Sequence, residues 1–98
     1  MDMPALTETL RGKVGDASGL GATLKFHCAE DGVVVIDGRA VPNTVDNQDR
    51  DTDCTIHITR ENLAAMLQGE LDPVAGFMTG RFSVEGDMSV ALKLQRVV

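Results

Sequence analysis

Two cysteines and two histidines are the side chains best suited to chemistry, and they occur as His27-Cys28 and Cys54-x-x-His57. Thiolate and imidazole are the usual ligands of zinc. The local pattern argues against that use. Both pairs fall in stretches that alternate apolar and polar residues, which predicts strands. Along a strand, successive side chains point to opposite faces, and so do residues three apart. One face of a sheet therefore receives His27 and His57, the other Cys28 and Cys54. Four ligands converge only if both strands break, so no metal is expected. The same geometry would make Cys28 and His57, or Cys54 and His27, meet through the sheet as nucleophile and base.

The remaining motifs are weaker. Asp49-x-Asp51-x-Asp53 opens like a calcium loop, but Cys54 stands where the loop needs glycine and Arg60 where it needs glutamate. A solvated acidic connection is the simpler reading. Gly19-Leu20-Gly21 lacks the third glycine of a dinucleotide fingerprint and precedes a strand instead of a helix. Ser18, Ser83 and Ser89 have no nucleophile elbow around them. No catalytic residue and no cofactor are expected.

The elements that must position these residues can be read from the same patterning. Residues 4–13 read as a short helix with Leu6 and Leu10 on one side. Ala22, Leu24, Phe26 and Cys28 share one face of a first strand. Asp31-Gly32 marks a turn into a buried strand at 33–36, and Asp37-Gly38 a second turn into a strand at 39–45. Pro42 cannot donate to a ladder, so that third strand belongs on a sheet edge. After the acidic loop comes a strand at 54–58 with Ile56 and Ile58 inward. Thr59 caps a helix at 60–68, and Asp72-Pro73 starts another at 73–79. Residues 81–85 alternate again, with Phe82 and Val84 on one face. Asp87 caps a last helix at 88–95. The expected fold class is α+β, with helices collected on one face of a sheet.

Composition narrows the function. Ninety-eight residues, 43% hydrophobic and 24% charged, make one ordinary globular domain. The net charge of −6, with its few basic residues scattered, argues against nucleic acid. It also argues against purely electrostatic attraction to lipid headgroups. Met1-Asp2-Met3-Pro4 is not a signal peptide, and no apolar run is long enough to span a membrane or insert stably. The expected location is the cytoplasm. Two cysteines do not imply a disulfide framework.

What is left is an apolar set in the C-terminal half: Met66, Leu67, Leu71, Phe77, Met78, Phe82, Met88 and Leu92. On composition alone such residues read as plain core. Flexible methionines and two short helices bounded by Gly69 and Gly80 also suit a cover that repacks around an apolar ligand.

In order along the chain, residues 53–94 resemble the sterol carrier protein 2 (SCP2) family. The specific parts are Leu63-x-x-Met66-Leu67-x-Gly69-x-Leu71-Asp72-Pro73, the turn Phe77-Met78-x-Gly80, and Gly86-Asp87-Met88. The resemblance implies a five-stranded mixed sheet with helices packed on one face. It also implies non-enzymatic binding and transfer of a lipid (fatty acid, fatty acyl-CoA or sterol-like) in a hydrophobic tunnel. Positions matched to its walls are Phe26 and Ile56, Met66, Leu67 and Leu71, Phe77 and Met78, Phe82 and Val84, and Met88 and Leu92. The short first helix and short C-terminal segment turn the expected guest from sterol toward an acyl chain.

A dry tunnel of about 300 Å3 would cost roughly 7 kcal/mol at about 24 cal/mol per Å3, from a total stability of about 5–15 kcal/mol. The domain is therefore expected either to hold a lipid or, when empty, to collapse onto its own side chains. Two alternatives remain at this point. One is an accessory or dimerisation module with a filled core, compatible with a homodimer. The other is an enzyme acting on acyl thioesters through Cys28 or His57.

Overall fold

The Asp2 carboxylate accepts the Ala5 N–H at 2.9 Å and starts the first helix, α1 (Met3–Val14). Leu6, Leu10 and Val14 recur every four residues and are all buried. This helix thereby spends its apolar face on the core. The computed structural model describes all 98 residues, Met1–Val98. The strands are β1 (Thr23–His27), β2 (Val33–Asp37), β3 (Thr44–Asp46), β4 (Cys54–Ile58) and β5 (Phe82–Gly86). Three further helices follow β3 in the chain: α2 (Arg60–Leu67), α3 (Pro73–Met78) and α4 (Met88–Ala91).

The sheet order is β3-β2-β1-β4-β5. β1 and β4 pair in parallel and every other neighbour is antiparallel, so the five-stranded sheet is mixed, as expected. Leu24, Phe26, Cys28, Cys54, Ile56 and Ile58 face one side, where they meet Leu6 and Leu10 of α1 and Leu63, Met66 and Leu67 of α2 in one core. On the opposite face His27 lies in register with His57, their ring centroids 5.3 Å apart. The acidic loop crosses this outer face. Lys25 Nζ bonds Asp49 at 2.7 Å, and Asn47 Nδ2 donates to the Val33 carbonyl at 3.0 Å.

Three expectations need correcting. The third strand begins at Thr44 instead of near Arg39, because the preceding segment bonds elsewhere. Asp37 accepts the N–H groups of Arg39 and Ala40, and the Asn43 side chain ties Ser18 to the carbonyls of Gly38 and Ala40. Pro42 lies in that loop, and β3 is the sheet edge. The turn between β1 and β2 includes a 3-10 segment at Ala29–Asp31. The last helix is broken: α4 ends at Ala91, and a 3-10 turn at Leu94–Arg96 follows. From Val90 onward the hydrogen bonds tighten, with Lys93 N–H donating to the Val90 carbonyl.

Asp53 joins three of these elements. Its carboxylate accepts the Thr23 N–H at 2.9 Å and the Thr23 hydroxyl at 3.1 Å, and its own N–H donates to that hydroxyl at 2.8 Å. Its carbonyl accepts the Asp87 N–H, at 2.8 Å. The Thr23 N–H, then its hydroxyl, and then Arg39 hold the Asp53 carboxyl below the usual aspartate range. A depressed folded value adds stability that is present above the unfolded pKa and lost as pH falls through the folded one. The wild type should therefore lose thermal stability as pH falls below about 4. Asp53→Asn should show a shallower loss over that window, and an unchanged slope would remove this clasp from the account.

Candidate functional site

The segment after α2 builds a corner of different character. Asp72 caps α3 by accepting the Ala75 N–H at 3.0 Å, and Pro73 fits the first helical position. Gly76 is buried against β5: a Cβ there would stand 3.1 Å from the Phe82 ring and 3.4 Å from Leu71. Any larger residue would press on the Phe82 ring, so glycine suits the close approach of α3 to β5. The Phe77 and Phe82 rings then sit 6.0 Å apart at a 46° tilt.

β5 presents Phe82 and Val84 inward, while Glu85 turns outward to pair with His57 at 2.8 Å. That hydrogen bond from the imidazole holds the Glu85 carboxyl below its usual range. Across from α3, Asp87 caps α4 through the N–H and hydroxyl of Ser89, and both bonds lower its own pKa. Val90 and Leu94 reach the core. Met88, Ala91, Leu92 and Gln95 lie on the side facing α3.

The result is an apolar groove of about 220 Å3, open on one side, between α3, β5 and α4. Pro73, Val74 and Phe77 form one wall, Phe82 and Val84 the floor, and α4 the other wall. No lining side chain is charged, and Gln95 is the one that can hydrogen-bond. Val74, Phe77, Met88 and Leu92 are all substantially exposed at its rim. Isolated apolar side chains on a surface are ordinary, but a contiguous set around a concavity marks a binding surface.

A larger hollow, about 530 Å3, opens where β1 and β4 end and is lined mostly by polar groups, among them His27, His57, Arg60, Arg81 and Ser83. Size alone would favour it. Its chemistry does not, because Cys28 is 2% exposed and burial, then Asp31 and Glu61, push its thiol up to about 11. Such a thiol is protonated at neutral pH and a poor nucleophile. Cys54 is likewise buried and raised, and lies on the core face with Cys28, away from both imidazoles. The groove is the better-formed apolar site.

A model of the SCP-2 sterol transfer family matches residues 5–98. The chain belongs to that family. Rabbit (Oryctolagus cuniculus) sterol carrier protein 2 is 37% identical over 51 residues, which are 52% of this chain and 9% of the rabbit protein's length. This SCP-2 chain therefore corresponds to a small part of that relative. The crystal structure of sterol carrier protein 2-like 2 from Aedes aegypti superposes with a TM-score of 0.80 at 19% identity, covering 98% of this chain and 95% of that one. The palmitated form of the same mosquito protein, solved in solution, gives 0.77 at 21%, covering 99% and 94%. Both show the SCP-2 fold over the full length.

Within that fold the expected wall residues separate into groups. Phe77, Phe82, Val84, Met88 and Leu92 come together at the groove. Phe26 and Ile56 of the sheet and Met66 and Leu67 of α2 do not: they are packed in the core. Leu71 and Met66 border a neighbouring hollow of about 260 Å3 that shares Pro73 and Gln95 with the groove. Met78 is 79% exposed and points away from both. The motif reading missed Pro73, Val74, Ala91, Leu94 and Gln95 as wall residues. Helical spacing carried part of that signal, since Ala91, Leu92 and Gln95 stand three, four and seven residues after Met88.

Proposed function

We propose that this chain binds a lipid by its acyl chain in the α3–β5–α4 groove and carries it without catalysing a reaction. The observation that bears most weight is the uncharged, apolar lining of a concavity at the one corner where the core cover is thin. An SCP-2 chain with such a groove has the means to shelter hydrocarbon from water. The palmitated mosquito neighbour supports an acyl guest in particular. At about 220 Å3 the groove falls below the roughly 300 Å3 low end of ligand sites, so it holds part of a chain as it stands. The walls that would part for the rest are short, six residues in α3 and four in α4.

Denaturing extraction with mass spectrometry, paired with thermal melts in palmitate, tests this reading. Palmitate at about a hundredfold excess over Kd should stabilise the fold by about 2.7 kcal/mol, which raises Tm by roughly 10–20 °C for a domain this small. No extractable lipid together with no thermal shift would sink it. The filled core, with Phe26, Ile56 and Leu63 fully buried, favours a second reading as an accessory or dimerisation module. Absence of lipid uptake combined with a stable dimer in light scattering would decide for it.

A further inference from the structure

The fold sorts the chain's five methionines by their access to solvent. Met66 is 3% exposed in the core, and Met3 packs against that core. Met78 is 79% exposed, and Met88, the first residue of α4, is 47% exposed. Met88 supplies the only sulfur in the lining of the α3–β5–α4 groove, whereas Met1 and Met78 are exposed outside it. One thioether therefore stands within reach of water and also in the wall where hydrocarbon would lie.

The thiols offer an oxidant no easier target. Thiolate is the reactive form of cysteine, and burial keeps a thiol inert. Cys28 and Cys54 are both buried on the core face, and burial raises both thiols, Cys28 to about 11. The chain has no Trp and no Tyr. An oxidant arriving from water meets the exposed thioethers first.

We infer that Met88 is a modification site, oxidised to the sulfoxide by hydrogen peroxide, and that its oxidation weakens the groove's hold on an apolar guest. A lone pair on the thioether sulfur attacks one peroxide oxygen, an S–O bond forms and the O–O bond breaks. The proton of the transferred hydroxyl passes to the departing one, which leaves as water. Sulfur loses two electrons and peroxide gains them. The product is a polar side chain in place of an apolar one, and methionine sulfoxide reductases can reverse the change. In the empty groove, open on one side, water solvates the new oxygen. A bound acyl chain would strip that water away, and no charged group lines the groove to compensate. This rests on the lipid-carrying reading above and adds its regulation.

Peroxide treatment followed by peptide mass spectrometry and palmitate titration tests the inference. Met78 and Met88 should each gain one oxygen while Met66 stays reduced. The Kd for palmitate should rise about tenfold on oxidation, the effect of desolvating one unsatisfied polar group. Saturating palmitate should slow oxidation of Met88 and leave that of Met78 unchanged. Met88→Gln, which places a permanent polar group in the wall, should reproduce the weakening without oxidant. In Met88→Leu, peroxide should leave the Kd where it stood before treatment. In Met78→Leu it should raise the Kd as in the wild type, because Met78 does not line the groove.

Far-ultraviolet circular dichroism should stay unchanged throughout, since Met88 is outside the core cluster. No palmitate binding by the unoxidised protein would defeat the carrier reading and this inference with it. Oxidised Met88 with unchanged palmitate affinity would overturn the inference alone. So would a Met88 that stays reduced while Met78 is converted, a peroxide response that persists in Met88→Leu, or a loss of binding that tracks a loss of fold.

Discussion

Val84→Asp is expected to reduce palmitate affinity at least about tenfold while leaving the fold recognisable by circular dichroism. Val84 is half-buried on the floor of the groove, between Phe82 and the α4 wall. An acyl chain lying there would desolvate the new carboxylate, and no lining side chain offers it a counter-charge. Burial of an unsatisfied polar group costs about 1–3 kcal/mol in proteins, and about 1.4 kcal/mol is tenfold in Kd. The empty domain avoids that cost, because the groove is open and water can reach the carboxylate.

Leu92→Asp provides the control for stability. Leu92 is 80% exposed at the rim, so its replacement should leave Tm nearly unchanged while still placing charge beside the guest. Isothermal titration of both variants with palmitate makes the measurement. Wild-type affinity in both would place the ligand elsewhere.

The groove and the core look alike at the level of pattern. Phe26 and Phe82 both sit on strands of alternating burial, and both point to the same side of the sheet. Alternation tells which face a residue occupies, but not what covers that face. β1 is the central strand and lies under α1 and α2, so Phe26 and its neighbour Ile56 are sealed. β5 is an edge strand under two short helices, and an apolar groove remains there beside Phe82 and Val84. The covering helices were legible one by one, including the starts at Thr59, Asp72 and Asp87, because caps and proline act locally. Their pairing with particular strands depends on residues far apart in the chain, and only the family motifs carried that information.

The same distinction explains the filled interior. A wide tunnel between sheet and helices would weaken a domain this small, and Phe26, Ile56, Leu63 and Met66 occupy the space between them. The void that remains is smaller, peripheral and open to water, where an empty state costs less than a sealed dry cavity. The apolar space lies at the most lightly covered edge of the fold and not at its centre.

That edge depends on Gly86, and Gly86→Ala should be among the most damaging single-methyl changes in the chain. Gly86 ends β5 at φ +99, and a Cβ there would lie 2.5 Å from the Asp53 carbonyl oxygen and 3.3 Å from the Cys54 Cα. Both obstacles are backbone, so neither can swing aside. Left-handed strain of about 1–3 kcal/mol and overpacking of about 1–3 kcal/mol should together cost about 3 kcal/mol or more, a fall in Tm of roughly 12–24 °C. Gly12→Ala supplies the contrast: Gly12 lies in α1 with nothing within 4 Å of the added methyl, and alanine there should stabilise by about 0.5–1 kcal/mol. The damage at Gly86 should also be directional. The Asp53 carbonyl that the new methyl would strike accepts the Asp87 N–H, the bond that holds the start of α4. Hydrogen exchange should therefore quicken first in β5 and α4, leaving α1 and β2 protected. Uniform loss of protection across the sheet would mean that the groove wall has no stability separate from the core.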